Sequence, residues 1–218
     1  MPKQPQAVLN SIFAFPPNRD TLGATAYLIV EKDANILVDS PAWDETNRNF
    51  VQQQGGVRWL FLTHRGAIAQ VDKIQADTGC EVIIEQHEAY LLPGLEVTAF
   101  EQELEIGDRA RAIWTPGHSP GSSCLYYDAS GGILFSGRHL LPDRDAQPAP
   151  LRAAKTFHWS RQLRSVRGIL DRFAPETLSY IVPAANTGFL RGKRTIENAY
   201  EKLAGLDLKE LSQTQPLL

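Results

Sequence analysis

The chain has 218 residues, 43% of them hydrophobic and 22% charged, which is ordinary globular usage and excludes wholesale disorder. Its 22 basic and 25 acidic side chains leave a net charge of -3, so no overall field exists to hold nucleic acid or an anionic membrane. No run of about 18 apolar residues is present to span a bilayer, and Met1-Pro2-Lys3-Gln4-Pro5 opens without the apolar stretch of a secretory signal. The expectation is a single cytoplasmic domain over residues 1–218 with no membrane or nucleic-acid partner, and with Cys80 and Cys124 as buried thiols.

Residues 26–30 and 35–38 read as paired strands, with Lys32-Asp33-Ala34 as the turn between them. Residues 44–54 read as a helix stopped by Gly55-Gly56. The nearly all-apolar stretch 57–63 is the kind of strand that is buried on both faces. Ile68, Val71 and Ile74 recur at helical spacing within 67–78, ahead of Gly79, and 80–84 follows as another strand. Strands then dominate from Leu95 to Phe135 (LEVTAF, RAIWT, CLYY, GILFS). A Pro-rich loop leads to an amphipathic helix capped by Ser160, a strand over 178–182 and a C-terminal helix over about 195–210. Alternating helices and mixed strands imply layered α/β packing.

Charge is unevenly spread. Residues 1–150 hold 11 basic and 19 acidic side chains, whereas residues 151–194 hold nine basic and two acidic ones. On a helix from Ser160, Leu163, Val166 and Ile169 share one face and Arg161, Arg164, Arg167 and Arg172 fall opposite. That basic face is either solvated or a docking surface for an acidic partner.

Four segments carry chemistry. Leu60-Phe61-Leu62-Thr63-His64 is an apolar strand ending in Thr-His, and Thr115-Pro116-Gly117-His118-Ser119-Pro120-Gly121-Ser122 is a turn-rich loop with a second His. Ile133-Leu134-Phe135-Ser136-Gly137 is a strand running into a glycine, and Ile181-Val182-Pro183-Ala184-Ala185-Asn186 a strand ending in a loop. In this order they resemble the metallo-β-lactamase fold superfamily, the glyoxalase II-like metallohydrolases in particular, over residues 22–190. The resemblance implies a four-layered αββα sandwich with its site along one edge of the sheets. It also implies that Asp39, in the Leu37-Val38-Asp39-Ser40 turn, supports the site loops rather than binding metal.

In the family's catalytic members that edge binds two metal ions, which lower the pKa of a water and stabilise the oxyanion it forms. The first ligand strand of such members ends Thr-His-x-His-x-Asp-His. Here His64 stands, but the next three ligand positions hold Gly66, Ile68 and Ala69. His118 matches a further ligand, the bridging Asp is replaced by Arg138, and the last His aligns with Ala185. A structural zinc site is worth about 10–16 kcal/mol over four ligands, so losing most donors removes most of that. A guanidinium about 4 Å from a divalent ion adds about 8 kcal/mol of repulsion at an effective dielectric of 20.

The reading is therefore a metallo-β-lactamase-fold protein that has lost its binuclear centre and acts as a binding or interaction protein without a cofactor. Its candidate ligand site is a metal-free cleft of His64, Arg65, His118, Arg138 and His139 for a small anion. The alternatives are that His64 and His118 are merely hydrogen-bonded, or that they hold one weakly bound Zn or Fe, with His139 or another side chain as a third ligand. Such a mononuclear site, or a metal-free one, would make the chain a hydrolase of an ester, thioester or phosphodiester.

Overall fold

The computed structural model describes residues 3–32 and 34–216, so Asp33 of the first expected turn lies outside the described residues. The chain divides into two compact units, Met1–Glu101 and Gln102–Leu218.

The first unit contains β1 (Gln6–Leu9), β2 (Ile12–Ala14), β3 (Tyr27–Ile29), β4 (Ile36–Val38), α1 (Glu45–Gln53), β5 (Trp59–Phe61), α2 (Val71–Thr78), β6 (Glu81–Glu85), the single turn α3 (Gln86–Ala89) and β7 (Val97–Phe100). Its seven strands form one sheet in sequence order. β1 to β4 pair antiparallel, and β4 to β7 pair parallel through crossovers that contain α1, α2 and α3 in turn. Alternating strand residues Leu28, Leu37, Leu60, Val82 and Ile84 pack with Val51, Val71 and Ile74 of the helices. Full burial of each such side chain stabilises by about 1.5–3 kcal/mol.

Two expectations change here. The helix read over 67–78 begins at Val71, because Arg65–Ala67 is a separate 3-10 turn and Gln70 takes a left-handed φ of 49° that α-helix cannot propagate through. The Gln70 side chain instead accepts from the Trp43 N–H at 3.3 Å. The strands β1 and β2 extend the sheet where no strand was expected.

The second unit contains β8 (Glu103–Ile106), β9 (Ala110–Trp114), β10 (Ser123–Tyr127), β11 (Ile133–Gly137), β12 (Leu141–Pro142), β13 (Pro148–Ala149), α4 (Trp159–Arg172), β14 (Tyr180–Pro183), β15 (Ile196–Glu197), α5 (Ala199–Ala204) and α6 (Leu208–Ser212). Its main sheet has the order β15-β14-β11-β10-β9-β8, with only β11 and β14 parallel, and β12 and β13 form a small hairpin inside the Pro-rich loop. Val166 and Ile169 of α4 and Ala199 and Leu203 of α5 pack on Leu134, Ile181 and Ile196 of the sheet.

The cap of α4 is His158 rather than Ser160: its Nδ1 accepts from the Arg161 N–H at 3.4 Å. Its own N–H donates to Gly117 O at 2.9 Å, which fixes the helix start two residues early. The single C-terminal helix expected over 195–210 is divided. Residues 196–197 are strand, Gly205 ends α5, and Asp207 caps α6 by accepting from the N–H groups of Lys209 and Glu210. Cys80 and Cys124 are free and buried. Among the described residues no helix is long and apolar enough to cross a membrane.

Candidate functional site

Asp39, Thr63 and His64 form a chain of hydrogen bonds in the first unit. Asp39 leaves β4 with a left-handed φ of 62°, and its buried carboxylate turns toward the end of β5. Oδ1 accepts from the Thr63 N–H at 2.8 Å and Oδ2 from the Thr63 hydroxyl at 2.9 Å. The same hydroxyl oxygen lies 2.9 Å from His64 Nδ1. A carboxylate only accepts, so the Thr63 proton is committed to Asp39 and the oxygen must accept from Nδ1–H. The chain thereby selects the Nδ1–H tautomer of His64 and places the ring's lone pair on Nε2, which is itself buried.

The neighbouring glycine matters to that imidazole. A Cβ at Gly66 would lie 3.0 Å from His64 Nε2 and 3.2 Å from Cδ2. The position where the resembling hydrolases carry their second His is thus edged by the ring itself. Arg65 is exposed on one side but pairs with the buried carboxylate of Glu88, Nε to Oε1 at 3.2 Å. Glu88 sits near Glu85, whose pKa is raised by burial and held back by hydrogen bonds from His87, ring Nδ1 to Oε1 at 2.7 Å.

His118, Arg138 and His139 belong to the second unit. The loop carrying His118 is closed by Thr115 N–H donating to Ser122 O at 2.8 Å, and α4 lies against it. Ser165 Oγ donates to Pro116 O at 2.9 Å, and a Cβ on Gly117 would meet the Gln162 backbone at 2.3 Å, so only glycine fits. The turn after β11 is pinned by His139 N–H donating to Ser136 O and by Gln162 Nε2 donating to His139 O, both at 2.9 Å.

That turn answers which neighbour faces inward. His139 is completely buried and Arg138 half-buried. Neither ring nitrogen of His139 has a hydrogen-bond partner among the described residues, and the same holds for Gln162 Oε1 and Ser119 Oγ. Burial pushes the His139 imidazole down to about 3, with the nearby charge of His118 acting in the same direction. His139 is therefore neutral at ordinary pH.

The structure brings Asp39 together with His64, and His118 near His139. Arg161, Arg164 and Arg167 are exposed on the outer face of α4, and none forms an ion pair among the described residues. Arg172 pairs with Glu103 of β8. Trp159 lies over the core with its indole N–H donating to Leu211 O at 3.0 Å, while Phe157 is exposed. Sequence reasoning missed Thr63 as the link between Asp39 and His64, although its place in the Thr-His pair was the available signal.

Among the described residues no group of three or more His, Cys, Asp or Glu side chains is placed to hold a metal ion. The seven ligand positions taken from the resemblance hold two imidazoles, one guanidinium and four side chains without a donor.

No protein-family model matches the chain. Over 132 residues it is 27% identical to a hydroxyacylglutathione hydrolase of Maricaulis maris, covering 58% of this chain and 50% of that protein. Over 71 residues it is 41% identical to the hydroxyacylglutathione hydrolase of Rhodospirillum rubrum, covering 32% of this chain and 27% of that one. The chain thus spans half or less of these two relatives. It is 28% identical over 142 residues to the probable metallo-hydrolase YqgX of Bacillus subtilis, covering 52% of this chain and 67% of that protein.

Among solved structures, the B3 metallo-β-lactamase BLEG-1 matches with a TM-score of 0.63 at 19% identity, covering 87% of this chain and 95% of that one. The metallo-β-lactamase family protein TTHA1429 of Thermus thermophilus matches with a TM-score of 0.64 at 18% identity, covering 94% and 81%. With both β-rich units inside these matches, the chain is a protein of the metallo-β-lactamase fold.

Proposed function

We propose that this protein does not build a binuclear metal centre and works as a binding protein for a small anionic ligand. The observation that carries the reading is the donor set. Gly66, Ile68, Ala69 and Ala185 offer no ligand atom where the resembling hydrolases have one, and Arg138 brings a fixed positive charge where they have a bridging carboxylate. His64, Arg65, His118, Arg138 and His139 are the ligand-binding candidates, with Asp39 as the support of His64. The reading takes the protein as cytoplasmic, in keeping with two free thiols. Docking of an acidic partner on Arg161, Arg164 and Arg167 belongs to the same proposal, and salt-sensitive binding lost on reversing those charges would support it.

A second reading is favoured by one feature, the Asp39–Thr63–His64 chain. An imidazole with Nδ1–H anchored and Nε2 left basic is suited to general-base catalysis, so hydrolysis of an ester, thioester or phosphodiester at a mononuclear or metal-free site is the alternative. The names of the two bacterial relatives put hydroxyacylglutathione among the substrates to try. The deciding experiment is a hydrolysis screen over those three bond types, with and without added Zn, Mn or Fe. The binding reading predicts no turnover that depends on His64. Turnover abolished by both His64→Ala and His118→Ala would replace it with the second reading.

A further inference from the structure

The second unit contains a cavity of about 430 Å³ between the β12–β13 hairpin loop and the segment running from Phe189 to α5. It shares no residue with the His118, Arg138 and His139 group. Its size falls within the range of small-molecule sites. Four cations line it, Arg144, Arg191, Lys193 and Lys202, against two carboxylates, Asp145 and Glu197. Lys193 is neutralised by Glu197, Nζ to Oε1 at 3.1 Å. Arg144, Arg191 and Lys202 have no ion-pair partner among the described residues, and the adjoining Arg194 has a buried Nη1 with no hydrogen-bond partner. The lining therefore carries a net charge of +2. Buried Leu190 and Ile196 and half-exposed Phe189 supply the apolar part.

The backbone of the walls is unusual as well. Of the nine described non-glycine residues with positive φ, four lie in these two segments: Ala146, Arg191, Arg194 and Asn198. Left-handed conformations of Ala and Arg are disfavoured and persist only where surrounding structure enforces them, a pattern that clusters at ligand clamps. Here Ala146 and Arg191, one from each wall, line the same concavity.

We propose that this cavity binds a small organic phosphate monoester, whose dianion is taken by Arg144, Arg191 and Lys202 while an apolar or flat body rests on Phe189. A phosphate monoester carries about -1.5 to -2 charges at pH 7, which matches the net +2, whereas a single carboxylate would leave a cation unneutralised. The concave shape argues for a small molecule rather than an acidic protein.

Phenyl phosphate tests this by isothermal titration calorimetry of the full chain, with inorganic phosphate and benzyl alcohol as the two half-ligands. Phenyl phosphate should bind with a Kd of about 1 mM or tighter and weaken as salt is raised. Inorganic phosphate should bind more weakly and benzyl alcohol not at all. The triple variant Arg144→Gln/Arg191→Gln/Lys202→Gln should weaken phenyl phosphate by tenfold or more. Phe189→Ala should weaken phenyl phosphate while leaving inorganic phosphate unchanged. Absence of binding at 10 mM, binding insensitive to salt, or wild-type affinity in the triple variant would overturn the proposal. Should the triple variant lose its fold, the salt dependence and the Phe189→Ala contrast still decide the question.

Discussion

Both carboxylate oxygens of Asp39 are committed to Thr63, one to its backbone N–H at 2.8 Å and the other to its hydroxyl at 2.9 Å. Asp39, 24 positions before Thr63, thus determines how His64 presents its ring. The consequence is chemical as much as structural, because the direction of the Thr63 hydroxyl decides which nitrogen of His64 carries the proton.

Asp39→Asn tests that direction. An amide NH₂ facing Thr63 Oγ1 would make the hydroxyl accept there and donate to His64 Nδ1, moving the proton to Nε2. Asparagine tolerates the left-handed φ, so the fold should survive with a loss of about 1–3 kcal/mol. Nitrogen-15 NMR of the imidazole should show the Nδ1–H tautomer in the parent and Nε2–H in the variant. An unchanged tautomer would contradict the hydrogen-bond direction.

Gly66→Ala tests the contact beside the ring. Its Cβ would sit 3.0 Å from His64 Nε2, so the imidazole must yield by a few tenths of an ångström. The backbone at Gly66 is not left-handed, so the cost should stay near about 1 kcal/mol. The expected outcome is a displaced His64 ring resonance with little change in thermal stability. Resonances identical to the parent would remove Gly66 from any role in placing His64.

His139 should make the protein sensitive to acid. Its folded pKa is depressed to about 3 by burial and the charge of His118. Below about pH 6.5 the unfolded chain takes a proton that the folded chain refuses until about pH 3. Stability therefore falls across that window as pH drops, by on the order of 5 kcal/mol from this group. His139→Phe replaces a ring whose nitrogens have no partner and should flatten the dependence, as measured by urea denaturation at pH 7, 5 and 4. Equal slopes in parent and variant would contradict the assignment.

The thiols should be inert in the native state. Desolvation pushes Cys124 up to about 12 and raises Cys80 as well. The thiolate fraction of Cys124 drops about a thousandfold relative to an ordinary cysteine. Iodoacetamide at pH 8 should label neither residue until denaturant is added. Rapid native labelling of Cys124 would show the second unit to be less closed than described.

The sheet centre of each unit was legible because fully buried strands such as Leu60 and Phe61 or Leu134 and Phe135 are nearly unbroken apolar runs between turn residues. β1 and β2 carry no comparable signal: Gln6–Leu9 is largely exposed and Ile12–Ala14 is three residues long. Glu103–Ile106 does alternate polar and apolar residues, a strand signal hidden by its charge. Ser160 resembles a cap by type, yet the bond from His158 to Gly117 sets the helix start, and no local pattern encodes that pairing. The motif order carried the fold, and Asp39 could be named as a support. The bonds from Asp39 through Thr63 to His64 were not legible, since periodicity does not reveal which residues meet over 24 positions.

The central claim is that the substituted ligand positions no longer assemble a binuclear metal centre. The most direct test is the metal content of protein produced in medium supplemented with Zn, Fe and Mn and purified without chelator, measured by inductively coupled plasma mass spectrometry. The account predicts transition metal far below one ion per chain, unchanged in His64→Ala and His118→Ala. A stoichiometric metal that disappears in those variants would contradict it.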